Sequence, residues 1–233
     1  MVKISAALFD IDNTLIDFVK MKKYSCKDAV AAMVAAGLPA SRKKTMRVLD
    51  ELYKKYGIEY QKIFQPLVKK ITGRVDWKII ASGIVAYRKA KASLLQPYPK
   101  TVPTLIRLRE KGYKLGIVTD APSMQAWTRL VESGLADFFD VVVTKDDVQG
   151  KTKPHPRPFE AALKNLCMRP DEVLFVGDNI NRDVLGAKKA GMVAVLAKYG
   201  EWEKARTGIK ADFEIRNISE VIKIIEKLNR VEK

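Results

Sequence analysis

The run Ala6-Ala7-Leu8-Phe9, followed at once by Asp10-Ile11-Asp12-Asn13-Thr14, constrains this chain more than any other stretch. An unbroken apolar run reads as a strand buried on both faces, and such strands belong to parallel sheets covered by helices on each side. In open sheets of that kind ligands bind in the crevice beyond the carboxyl ends of the strands. This strand delivers two carboxylates to that end. Residues 10 and 12 are two apart, so in an extended chain their side chains share a face and can converge on one site. There they can share a divalent cation, one can attack an electrophile as a nucleophile, and the other can serve as general acid and base. The plainer alternative is a strand that ends in acidic turn residues.

The rest of the chain divides by period. From about residue 16 to Leu95 the apolar residues recur at three and four, as in helices. Val30, Met33 and Val34 precede Gly37; Met46, Leu49, Leu52 and Tyr53 precede Gly57. Ile63, Leu67, Val68 and Ile71 stop at Gly73, and Ile80, Ile84 and Tyr87 belong to a fourth helix that closes near Gln96-Pro97. That pattern predicts a helical bundle. From Tyr98 onward, helix and strand patterns alternate with short links, which predicts a parallel, doubly wound sheet. Helices are expected over 101–111, 124–133, 158–166 and 183–190, and strands over 113–119, 141–144, 173–176 and 193–197. Phe213-Glu214-Ile215 reads as an edge strand, and Val221, Ile224, Ile225 and Leu228 stripe a last helix. The expected fold is therefore α/β: a Rossmann-like doubly wound core over 1–16 and 97–233, with an inserted α-helical bundle over 17–96.

Three later apolar runs also end in polar groups. Leu115-Gly116-Ile117-Val118 leads to Thr119-Asp120; Lys153-Pro154 follows the strand-like Val141-Val142-Val143-Thr144; and Val173-Leu174-Phe175-Val176 leads to Gly177-Asp178, with Asp183 five residues on. In that order the four tips resemble the motifs of the haloacid dehalogenase superfamily of aspartate-nucleophile phosphohydrolases, and the likeness covers nearly the whole chain. In that superfamily a helical insertion directly after the first strand is a cap, a lid that opens and closes over the strand tips and excludes water from the reacting phosphate.

The resemblance assigns one group to each task of phosphoryl transfer. Asp10 would attack phosphorus and form an aspartyl phosphate, and Asp12 would protonate the leaving alkoxide and later activate water. Thr119 would donate its hydroxyl to a phosphate oxygen, with the backbone amide of Asp120 nearby, and Lys153 would neutralise the transferring group. Asp10, Asp178 and the backbone carbonyl of Asp12 match the family's ligands for Mg2+, and Asp183 matches an additional acid expected to hold a metal-bound water or to orient Lys153. Asp183 could alternatively cap the helix expected over 183–190. His155, the one histidine, matches no family position and is expected to be structural or solvated. The halide-releasing members lack the second aspartate, because halide leaves without a proton, so Asp12 argues for phosphoesters. The expected activity is a magnesium-dependent phosphatase acting on a small phosphorylated metabolite. The alternatives are a phosphomutase or phosphotransferase, and behind them a haloacid dehalogenase or a basic nucleic-acid-binding protein.

Composition narrows the partners. The formal net charge is +16. Residues 17–98 hold 18 Lys and Arg against 6 Asp and Glu, so the surplus lies mostly in the helical insertion. Lys22-Lys23, Lys43-Lys44, Lys54-Lys55 and Lys69-Lys70 read as pairs that helices show to water, although a surplus on a face near the site would attract anionic substrate. No nucleic-acid partner is expected, since no motif residue has been lost as in a vestigial site. The longest uncharged stretch is far short of the roughly 18 to 20 apolar residues of a membrane span. No membrane partner is expected either. The short apolar run before Asp10 does not read as a secretory signal, and Cys26 and Cys167 form no spacing motif, so a cytoplasmic protein with reduced thiols is expected. Monomer and homodimer remain open.

Overall fold

A computed structural model describes residues 3–203 and 208–230. The chain divides into two compact units, Met1–Asp17 with Gln96–Lys233, and Phe18–Leu95.

In the first unit the described residues form one six-stranded sheet, all parallel, in the order β3-β2-β1-β4-β5-β6. The strands are β1 (Ala6–Phe9), β2 (Lys114–Val118), β3 (Val141–Val143), β4 (Val173–Gly177), β5 (Val193–Ala197) and β6 (Phe213–Ile215). β1 runs through the middle and is buried along its whole length. The chain winds outward from β1 to β2 and β3, then returns to the other side of β1 for β4, β5 and β6. That reversal is the topological switch at which such sheets bind ligands. Register carries the argument to single residues. Phe9 stands opposite Ile117 on β2 and Val176 on β4, so Asp10, Thr119 and Asp178 all follow at the same edge of the sheet.

Helices α5 (Thr101–Glu110), α6 (Ser123–Glu132), α7 (Arg157–Leu166), α8 (Leu185–Lys189) and α9 (Glu220–Arg230) belong to this unit. One apolar cluster joins Leu8, Phe175 and Ala194 of the sheet to Phe159, Ala162 and Val184. Phe159 meets Phe175 edge to face, with centroids 5.0 Å apart. Asn229 ties α9 to the start of the chain, its side chain bonding both the amide and the carbonyl of Ile4 at 2.9 and 3.0 Å.

The expected helix over 183–190 begins earlier and differently. A π-helical turn, Ile180–Val184, precedes α8. The side chain of Asn179 accepts from the amides of Asn181 and Arg182 at 2.9 and 3.0 Å. The helix is therefore capped by Asn179, and Asp183 lies inside the wide turn.

The second unit holds α1 (Phe18–Ala35), α2 (Arg42–Tyr56), α3 (Phe64–Thr72) and α4 (Trp77–Leu94). Ser41 caps α2 and Asp76 caps α4, each accepting a backbone amide, at 3.2 and 3.1 Å. Their buried faces share Met33, Leu49, Leu67, Val68 and Ile80. Both cysteines are free thiols, Cys26 buried in this unit and Cys167 exposed in the other. Among the described residues no helix is long and apolar enough to cross a membrane.

Candidate active site

At the carboxyl edge of the sheet lie Asp10, Thr119, Lys153, Asp178 and Asp183, each no more than 6% exposed. Charged groups are rarely buried so deeply without partners, and most of these have them. The Lys153 ammonium donates to Asp10 Oδ1 at 2.7 Å and to the Val118 carbonyl at 2.9 Å, and Asp183 Oδ1 lies 2.7 Å from it. An ammonium has three N–H donors, and three oxygens surround this one. Burial works to lower the Lys153 pKa, but Asp10, Asp183 and Asp120 outweigh it and hold the ammonium charged well above the usual lysine range.

The loop carrying Lys153 is fixed by its backbone as well. Its amide donates to Asp120 Oδ1 at 2.8 Å, and Asp120 Oδ2 pairs with Arg182 at 3.3 Å. The Asp120 carboxylate is thus a brace, a use that the expectation for its amide did not include. Thr119 Oγ1 accepts from the amide of Ala121 at 3.2 Å, a bond that does not use the hydroxyl's own O–H donor. His155 is exposed, and its Nδ1 accepts from the Arg157 amide at 3.2 Å.

Asp178 is the exception to the pairing. It is 1% exposed, and neither of its carboxylate oxygens has a hydrogen-bond partner. Burial, with Asp183 and Asp10 adding like charge, pushes its pKa up to about 9. Burial likewise raises Asp10, with Asp183 and Asp12 adding to it and Lys153 opposing, to about 7. An orphaned buried carboxylate is costly unless a cation completes it. Asp10, Asp178 and Asp183 each offer an oxygen within 4.8 Å of the others, a spacing that suits one metal ion. An all-oxygen donor set favours a hard cation such as Mg2+. Asp183 is less available than the other two, since Oδ1 faces Lys153 and Oδ2 accepts from the Asn179 amide at 2.9 Å.

The wide turn that carries Asp183 reaches the strand tip only because residue 177 is glycine. A Cβ there would overlap the Asp183 side chain and lie 2.5 Å from its Oδ2.

Asp12 sits beside this cluster with a cation of its own. Arg129, on the buried face of α6, donates from Nη1 to Asp12 Oδ2 at 2.6 Å. Arg129 was absent from the sequence-based set, as was Arg182. Ala126, Arg129 and Leu130 are all buried, so a charge occupies a position of the helix's buried face.

Comparison with known proteins identifies the family. The sequence profile of the family described as haloacid dehalogenase-like hydrolase matches residues 7–197. A Methanocaldococcus jannaschii protein named glyceraldehyde 3-phosphate phosphatase is 34% identical over 227 residues, covering 97% of this chain and 99% of its own length. A Bacillus cereus protein named pyrophosphatase PpaX is 34% identical over 170 residues, covering 71% of this chain and 78% of its own. Among solved structures, a HAD phosphatase from Thermococcus onnurineus matches with a TM-score of 0.68 and 33% identity, over 95% of this chain and 98% of that one.

Proposed function

Because this chain belongs to the haloacid dehalogenase-like hydrolases, we propose that it is a magnesium-dependent phosphatase that hydrolyses a small phosphorylated metabolite through an aspartyl phosphate on Asp10. The observation that carries the reading is the division of labour around Asp10: Lys153 holds one of its oxygens, while the orphaned Asp178 stands within metal-sharing reach. Asp10, Asp178 and the backbone carbonyl of Asp12 would hold the cation, and Asp183 orients Lys153. When bound, the cation neutralises the clustered carboxylates and the phosphoryl oxygens and aligns the phosphate with Asp10. Asp10 attacks phosphorus in line as the ester bond breaks. Asp12 gives its proton to the leaving oxygen, then takes one from the water that cleaves the aspartyl phosphate. Lys153 and the Thr119 hydroxyl hold the phosphoryl oxygens. A cytoplasmic location accompanies this reading, supported by two free thiols.

The names of the relatives make glyceraldehyde 3-phosphate the first substrate to assay and inorganic pyrophosphate the second. Phosphate release with Mg2+ across a panel of phosphate esters tests the reading. Release from none of them, or isomerised sugar phosphate without free phosphate, would overturn it in favour of another activity or a phosphomutase. Asp12→Asn is expected to slow an alkyl phosphate far more than 4-nitrophenyl phosphate, whose leaving group departs without a proton, since general acid help is typically worth about 10²- to 10⁴-fold. Equal losses on both would remove Asp12 as the acid.

Metal dependence has a second, non-kinetic reading. Asp10 and Asp178 both bind a proton more tightly in the folded chain than in the unfolded one, so the native state carries more protons and stability falls as pH rises. Their contribution is full below the unfolded value of 3.8 and is lost as pH climbs through about 7 for Asp10 and about 9 for Asp178. Mg2+ replaces those protons, so its stabilisation should grow from pH 6 to pH 9. At a hundredfold excess over Kd it is worth about 2.7 kcal/mol, or roughly 5 to 10 °C in Tm for a chain of this size. Thermal unfolding of chelator-treated protein with and without Mg2+ measures this. A shift that is flat or shrinks with rising pH would count against a magnesium site at these carboxylates.

A further inference from the structure

Two aspartates of one motif carry two different buried cations. Lys153 belongs to Asp10 and Arg129 to Asp12, and each bond is short, at 2.7 and 2.6 Å. Arg129 is 4% exposed, although it lies on a helix whose outer face is open to water at Met124, Trp127 and Val131. A helix can turn an arginine outward at no cost, and burying a guanidinium is expensive unless an anion completes it. Here the charge is directed inward, and the anion is Asp12, 117 residues away in the chain.

From this geometry we propose that Arg129 is a positioning residue for Asp12, which rests on the reading of Asp12 as general acid and base. The bond to Oδ2 opposes rotation about Cβ–Cγ, so that in this proposal the same oxygen, Oδ1, serves the substrate in both halves of the reaction. In the first half the Oδ1 proton passes to the ester oxygen as its bond to phosphorus breaks and the Asp10 oxygen bonds to phosphorus. In the second half water bonds to phosphorus, the Asp10–phosphorus bond breaks, and the water's proton returns to Oδ1 as inorganic phosphate leaves. An arginine suits this task because it cannot be deprotonated in a protein. It therefore holds the carboxylate without joining the proton transfer, whereas a lysine at hydrogen-bond distance could exchange a proton with it.

The test uses the full chain with Mg2+ and compares kcat/KM on an alkyl phosphate with kcat/KM on 4-nitrophenyl phosphate, because kcat/KM reports the first half of the reaction, whereas hydrolysis of the aspartyl phosphate is common to both. Arg129→Met is expected to lower the alkyl-to-nitrophenyl kcat/KM ratio by about 10- to 100-fold, a part of the general-acid contribution. Arg129→Gln, uncharged and too short to hold the same oxygen, should lower it likewise and carries the comparison where the Met variant fails to fold. In an Asp12→Asn background, Arg129→Met should leave the ratio where Asp12→Asn alone has set it. A purely structural role for Arg129 would lower both kcat/KM values equally, and that result would overturn the proposal while leaving Asp12 as the acid. A further fall in the ratio in the double variant would overturn it too. If Asp12→Asn alone leaves the ratio unchanged, the reading of Asp12 falls and this proposal with it.

Discussion

Asp10→Asn is expected to remove turnover on every phosphate ester, by about 10⁴-fold or more, because the amide cannot form the covalent intermediate and losses of this size accompany removal of a nucleophile. The chain should still fold. Asn is nearly isosteric with Asp, and the side chain it replaces is a buried carboxylate that burial itself holds above its ordinary range. Lys153 keeps Asp183 and the Val118 carbonyl as partners in the variant. Above pH 7, in the absence of metal, the unfolding midpoint should therefore fall little, because a lost ion pair is offset by the loss of one of several like charges. Phosphate release and thermal unfolding, with mass spectrometry to exclude deamidation back to aspartate, measure both parts. Turnover near the wild-type value in intact Asn protein would remove Asp10 as the nucleophile.

How much of this site could be read from the sequence depends on which residues lie next to each other in the chain. Asp10, Asp12, Thr119 and Asp178 stand one to three residues past apolar runs, and a parallel sheet brings such positions to one edge whatever the details of packing. The strand order, which winds outward from β1 and reverses once, was not part of the sequence reading. Asp120 was legible as a residue near the site but not in its use, since its partners Lys153 and Arg182 come from two other loops. Arg129 shows the same limit in stronger form. On a helix, an arginine next to leucine reads by default as a solvated charge, and only the 117-residue span to Asp12 makes it a buried one. The wide turn before α8 was hidden for a different reason. Helical periodicity does not distinguish an α from a π turn at one end, and here the choice is made by Asn179 and by the missing side chain of Gly177.

Lys153→Met is expected to cost both stability and activity, and the dependence of the two losses on pH and metal separates their causes. Methionine fills much the same volume without the charge, so the variant leaves Asp10 and Asp183 buried beside Asp178 with no ammonium among them. Removing one partner of a buried pair typically costs about 3 to 5 kcal/mol, because the remaining charge is left uncompensated. Two carboxylates lose the same cation here, so the metal-free variant should lie at the upper end of that range near pH 8. Lowering the pH protonates the carboxylates that the ammonium had balanced, and near pH 5 the difference from wild type should shrink. Mg2+ supplies positive charge to the same carboxylates and should recover a large share of the stability at pH 8. It should not recover turnover. Lys153 holds Asp10 Oδ1 itself, and phosphoryl transfer spreads charge over oxygens that a metal held by Asp10 and Asp178 would not neutralise alone. Thermal unfolding at pH 5 and pH 8, each with and without Mg2+, alongside phosphate release on the substrate found by the panel, gives the four stabilities and the rate together. A variant that Mg2+ restores in both stability and turnover would make Lys153 a structural counter-ion to Asp10 and Asp183, with no part in holding the phosphoryl group.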